Sequence, residues 1–364
     1  MKNKANILTL ARIVLMPIPG WLLYQGASHL FACLAAILLL GLTDWLDGIM
    51  ARREGPTVLG GLLDPIADKI FVAVVYLPLT ERFVGAWGRD VIPMWMACCI
   101  FVRDFLVTSL RTSLLLRDAP MRTSALAKFK TAAQMLGGGY IIMYYAVTLA
   151  GLSAWATYVA VLAPIAVPLS LMVFRFARGR KQGRRSLTMA GLMAAEAALR
   201  LAAGANWASW ITLLGITVVT VLSGLSYLTD AWTALRGKSR GFREIGRFAL
   251  DGVLVPLAFL LLLGRCSGFG VSAMIITSIT LELAAGGLAN LLASHKIAPR
   301  FRWIAIKSVL QIALCGLALA GSFALVRLPA AASYALVAAA AAVTLGFAIL
   351  SFVRNKDQYI RALQ

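Results

Sequence analysis

Apolar residues run through this chain in long uninterrupted stretches, without the strict alternation of a half-buried strand or the three-to-four periodicity of a helix with one wet face. Twelve stretches can be drawn, at about 6–26, 29–48, 65–81, 91–111, 128–149, 152–174, 188–204, 207–229, 247–264, 270–294, 303–325 and 330–352. Each approaches the roughly 20 residues with which a helix crosses about 30 Å of hydrocarbon. The pattern predicts an all-α polytopic membrane protein with about twelve transmembrane helices. Pro17 and Pro19 predict a kink in the first span. The seventh is the least apolar, because Glu196 and Arg200 lie within it. The basic N-terminus lacks a small-residue cleavage site, so the first stretch reads as a retained span.

Composition agrees with this picture. Of 364 residues 60% are hydrophobic and 14% charged, against about 25% charged in soluble domains. The formal charge of +20 changes the picture through its distribution. Basic residues crowd alternate loops: Lys2 and Lys4, Arg52 and Arg53, 111–130, 175–185, 236–247, 296–302 and 354–361. The opposite loops hold only Arg82, Arg89, Arg265 and Arg327. This asymmetry is the positive-inside pattern, which places the protein in the cell inner (plasma) membrane with both termini and the basic loops cytoplasmic. A nucleic-acid partner is not expected, since no basic patch carries interleaved aromatics. Membrane lipids are expected partners through anionic headgroups. The five cysteines lack ligand spacing and read as small hydrophobes. His29 and His295 fall on opposite predicted sides, leaving no histidine-based triad or zinc site.

The chemistry concentrates in residues 43–69, TDWLDGIMARREGPTVLGGLLDPIADK, at the cytoplasmic ends of the second and third spans. Asp44 and Asp47 are three apart on one helix, and Asp64 and Asp68 four apart on the next, so each pair shares a face. Pro65 suits the first turn of the second helix. A short turn over 53–59 would bring the faces together. Uncompensated carboxylates at membrane depth cost several kcal/mol each, so they must be protonated, paired or metal-bound. Two Mg²⁺ or Mn²⁺ ions bridged by the acids could hold a pyrophosphate and activate an attacking hydroxyl. Gly48 and Ala51 leave room on the same side for a flat base or a phosphate, Arg52 can neutralise phosphate charge, and Gly60 gives room opposite. A packing cluster of polar residues and the cation pathway of a transporter are the competing readings of intramembrane acids.

This segment resembles the signature of the CDP-alcohol phosphotransferase family: two Asp separated by two residues, Gly, two residues, Ala-Arg, a gap, Gly, three residues, Asp, three residues, Asp. Asp44, Asp47, Gly48, Ala51, Arg52, Gly60, Asp64 and Asp68 fill all eight positions, with seven residues in the gap where eight is commoner. The resemblance implies a six-helix bundle that binds a CDP-linked lipid through two divalent metal ions and transfers its phosphatidyl group to an alcohol, releasing CMP. It implies Asp44, Asp47 and Asp64 as metal ligands, Asp68 as ligand and general base, and Gly48, Ala51, Arg52 and Gly60 lining the CDP site. The opening NILTLAR (residues 6–12), Arg103-Asp104, Ser109 to Arg111 and the Lys-Phe-Lys-Thr of 128–131 look like the phosphatidylglycerophosphate synthase branch. That likeness implies CDP-diacylglycerol and glycerol 3-phosphate as substrates, with Arg103, Arg111, Lys128 and Lys130 at the acceptor phosphate. Snorkelling at helix ends is the plain alternative for the lysines. Cardiolipin synthases, using phosphatidylglycerol, and enzymes using inositol or serine are the neighbouring alternatives.

The signature and its six spans occupy 1–180, and the remainder, 181–364, reads as a degenerate repeat. SLTMAG (186–191) aligns with ILTLAR (7–12), LSYLTDAWTALRGK (225–238) with LLGLTDWLDGIMAR (39–52), FALDGVLV (248–255) with GLLDPIAD (61–68), and AIKSVLQ (305–311) with FKTAAQ. Asp230 and Asp251 then match Asp44 and Asp64, whereas Thr233 and Val255 replace Asp47 and Asp68. Glu282 matches Asp104, Lys307 matches Lys130, and Leu281 replaces Arg103. The expected architecture is two tandem six-helix bundles, the second inactive, with an intrachain pseudo-dimer or a homodimer as possible assemblies. The basic loop 175–185 joins them.

Overall fold

The computed structural model describes residues 4–55, 57–81, 91–116, 125–151, scattered positions from 153 to 174, 184–235, 246, 249–265, 268–297, 304–323, 325 and 328–363. Most of the expected sixth span and of the basic joining loop therefore lies outside the described residues. So do the side chains of Ala51, Arg52, Lys128, Asp230 and Thr233.

Every described element is helical. In order they are α1 (Lys4–Leu15), α2 (Pro17–Gln25), a short 3₁₀ turn (Ala27–His29), α3 (Leu30–Glu54), α4 (Val58–Glu81), α5 (Met94–Leu115), α6 (Ala125–Leu149), α7 (Arg184–Leu235), a π turn (Leu250–Leu254), α8 (Val255–Leu263), α9 (Phe269–Ser294), α10 (Ile304–Ser322) and α11 (Ala330–Leu363). The predicted proline kink is the α1–α2 junction, where Pro17 opens the second piece. Pro65 lies inside α4 and not in its first turn, because that helix begins at Val58. The turn before it is shorter than expected, since α3 runs on to Glu54 and Gly55 takes φ +91° to reverse the chain.

Five described segments are long and apolar enough to cross a membrane: Ala5–Gln25, Ala27–Met50, Trp207–Thr229, Phe269–Ser294 and Ala330–Ala362. Leu250–Leu263 and Ile306–Ser322 are shorter apolar helices. The stretches expected at 65–81, 91–111 and 128–149 are helical, as α4, α5 and α6, and are not among these five. The charged residues of α4 and α5, and the glycines and tyrosines of α6, dilute their apolar character. Large aliphatic side chains cover the outside, Val14, Leu38 and Leu39 among them at 63–75% exposure, as a lipid-facing surface requires.

The backbone of α7 is helical over 52 residues, yet it cannot be straight. Thr212 donates to the Glu196 carboxylate at 2.5 Å, and Arg200 donates to Ser209 at 3.0 Å. Along a straight helix Glu196 and Thr212 would stand about 24 Å apart. The chain therefore folds back between Arg200 and Ser209, and the two arms match the separate spans expected at 188–204 and 207–229. The polar residues of the first arm satisfy one another: Glu196 pairs with Arg200 at 3.0 Å, and the guanidinium lies 4.1 Å from the centre of the Tyr144 ring on α6.

One continuous hydrophobic core runs through both parts of the chain, from Leu23 and Tyr76 through Phe101 to Phe259, Ile275 and Val337. α9 packs against α4 and α5, the π turn and α8 against α5, and α7 against α5 and α6. The second half is thus a close neighbour of the helices that carry the aspartates.

Candidate functional site

α1 turns its polar residues inward. Asn6, Thr9 and Arg12 recur every three positions and are buried, whereas Ile7, Leu10 and Val14 face outward. This helix packs against both α3 and α4 and so stands between the two aspartate pairs. Arg12 ion-pairs with Asp44 and with Asp47, one nitrogen to each carboxylate. Thr9 donates to Asp47 at 3.0 Å and also lies beside Asp64. Asp47 is buried and Asp44 half exposed.

The mouth of α4 is tied to the same helix. Thr57, the N-cap residue, accepts the amide of Gly60 at 3.0 Å and donates to Asn6 at 2.9 Å. A methyl group on Gly60 would stand 2.9 Å from the Thr57 hydroxyl and 3.2 Å from the Asn6 carbonyl oxygen, so only glycine fits without movement. Gly48 is half-buried on the aspartate side of α3. One turn beyond Asp64 on α4, Asp68 lies in the field of four charged groups: Asp44 and Asp64 repel it, Arg12 and Lys130 attract it.

Four carboxylates on two consecutive helices, α3 and α4, make a donor set of hard oxygens that suits Mg²⁺ or Mn²⁺. As arranged, no three of them among the described residues are gathered tightly enough to enclose a cation, since Asp44 and Asp47 are turned onto Arg12.

A second polar centre lies on α5 and α6, around Asp104. This buried carboxylate pairs with Arg103 at 2.8 Å and Lys130 at 2.5 Å. Lys69, next to Asp68, donates to Thr108, and Asp104, Lys130, Arg111 and Arg103 all act on its charge. Arg103 reaches away from the tetrad: it donates to Ser223 at 2.5 Å and lies 5.4 Å from the Tyr227 ring, both on α7. Arg111 is half-buried and pairs with no carboxylate among the described residues. Arg103 and Lys130 thus share one oxygen of Asp104, with Arg111 and Lys69 in the same electrostatic neighbourhood, and Arg103 also reaches α7.

Sequence reasoning did not single out Arg12, Thr9, Asn6, Thr57 or Lys69 as site residues. The first three left a signal in their three-residue spacing within an apolar run. Lys69 sat in plain view beside Asp68.

The fold and site define a polytopic membrane protein whose paired aspartates sit at the mouth of a helical bundle. The CDP-alcohol phosphatidyltransferase family model matches residues 2–172. A CDP-diacylglycerol–glycerol-3-phosphate 3-phosphatidyltransferase of Rickettsia typhi is 38% identical over 146 residues, which cover 39% of this chain and 78% of that one. The enzyme of that name from Pseudomonas fluorescens is 39% identical over 145 residues, covering 37% and 69%. The one from Escherichia coli K12 is 32% identical over 149 residues, covering 38% and 76%. No solved structure matches. The chain belongs to the CDP-alcohol phosphatidyltransferase family.

Proposed function

We propose that the chain transfers a phosphatidyl group from CDP-diacylglycerol to glycerol 3-phosphate and releases CMP. The observation that carries this reading is the complete aspartate signature on α3 and α4, joined by the buried Arg12 of α1, in the segment matched by the family model. The names of the similar enzymes support the acceptor.

In this reading the residues divide the work. An acceptor hydroxyl attacks the phosphorus that bears the diacylglycerol; its new P–O bond replaces the bond to CMP, which leaves with the electron pair. Asp68 takes the proton of that hydroxyl. Asp44, Asp47, Asp64 and Asp68 would hold two divalent ions, Mg²⁺ or Mn²⁺, which when bound neutralise the pyrophosphate. Arg12 keeps Asp44 and Asp47 oriented from behind. Gly48, Ala51, Arg52 and Gly60 are assigned to the CDP side. Lys130 and Arg111, with Lys69 and with Lys128 two residues earlier on α6, are assigned to the acceptor phosphate. Arg103 is a positioning residue that fixes Asp104 and hence Lys130. The excess of basic residues in alternate loops supports an inner-membrane placement with this site on the cytoplasmic side.

The test is CMP release by the purified full-length protein in detergent with CDP-diacylglycerol, Mg²⁺ or Mn²⁺, and a panel of glycerol 3-phosphate, phosphatidylglycerol, inositol and serine. Glycerol 3-phosphate should be the acceptor used. Preference for another alcohol would move the protein to a different branch, and cation flux without turnover would make it a transporter.

A further inference from the structure

The hydrogen bond from Thr112 on α5 to Asn290 on α9, at 2.6 Å, joins residues 178 positions apart. That separation is also the one by which Glu282 aligns with Asp104 when the second half is laid on the first. Thr112 therefore touches its own counterpart. One helical turn earlier the same thing happens again: Gly286, the counterpart of Thr108 at the same spacing, lies so close that a methyl group on it would stand 2.8 Å from the Thr108 methyl carbon. Two surfaces meet residue-on-counterpart only beside a two-fold axis, where the same patch is used on both sides.

The flanking contacts are reciprocal. α4 packs against α9, with Ile66 2.5 Å from a methyl placed on Gly287. The counterpart of α4, the π turn and α8, packs against α5, the counterpart of α9, with the Leu106 backbone 3.2 Å from a methyl placed on Gly252. The interiors also repeat. Lys130 pairs with Asp104 across α5 and α6, and Lys307 pairs with Glu282 at the same distance of 2.5 Å across α9 and α10. The glutamine one turn beyond each lysine, Gln134 and Gln311, is buried in both.

We propose that the second half is a copy of the first, docked on it about a local two-fold axis between α5 and α9, so that the chain carries its own partner subunit on that face. The symmetry breaks where sequence breaks it. α7 holds Arg103 through Ser223 and Tyr227, and the counterpart of Arg103 is Leu281, which cannot return such a bond. This inference concerns assembly and stands independently of which alcohol is the acceptor.

Two measurements on the full chain in detergent test it. Particle mass should correspond to one chain; a stable two-chain particle paired through α5 would overturn the built-in partner. Thr112→Val and Asn290→Leu should each lower the unfolding midpoint by about 2 °C. The exchange Thr112→Asn with Asn290→Thr should restore it, since both positions of a self-paired contact see the same surroundings. An exchange as damaging as the single changes would refute the two-fold.

Discussion

Arg12 pairs directly with two of the four aspartates and acts on the charge of the other two. It is buried, and it serves two carboxylates from a different helix. Removing one partner of a buried ion pair leaves an uncompensated charge, at a cost of about 3 kcal/mol or more. Arg12→Ala should therefore lower the stability of metal-free protein by about that much, and added Mg²⁺ should recover more stability in the variant than in the wild type; thermal unfolding with and without Mg²⁺ checks both. Asp68→Asn should reduce CMP release by at least about 100-fold, the low end of a general-base contribution, while leaving the unfolding midpoint close to normal. The four aspartates were legible in the sequence because acids in an apolar run are costly and their spacing puts each pair on one face. Arg12 was not, because it lies 35 residues before Asp47 and its role appears only when α1 is set between α3 and α4. Arg103 was legible in part. Its pairing with the adjacent Asp104 could be read from the sequence, whereas its second partner, Ser223, lies 120 residues away on α7.

At the level of the helices, hydropathy located the spans but not their ends. α3 and α4 extend beyond the predicted apolar runs, because a helix entering water continues until a residue such as Gly55 stops it. The bend in α7 was foreshadowed by the gap between the expected seventh and eighth spans, while its fastening was not. Glu196 and Arg200 looked out of place in an apolar run; they clasp the two arms to each other and to α6. Glu196→Ala should be the most damaging change here, stranding a buried guanidinium at a cost of about 3 kcal/mol. Thr212→Val removes one neutral partner and should cost about 1 kcal/mol. Comparison of their unfolding midpoints gives the order.

Across the whole molecule, the uneven distribution of acids predicts an uneven distribution of function. Changing Asp251 and Asp230 together to Asn should leave CMP release near the wild-type level, in contrast to any member of the tetrad; loss equal to that of Asp68→Asn would place chemistry in both halves. The alignment of the halves was visible in the sequence, but apolar stretches align readily with each other. What pattern could not convey was the way α9 and the π turn settle against α4 and α5. That contact also bears on how the protein behaves when it is scarce. Two separate chains must find each other in the plane of the membrane, and their pairing falls as expression falls. Here the neighbour is tethered, and a covalent connection fixes its effective concentration however few copies the membrane holds. Specific activity should accordingly stay constant on dilution into excess lipid, down to one chain per vesicle.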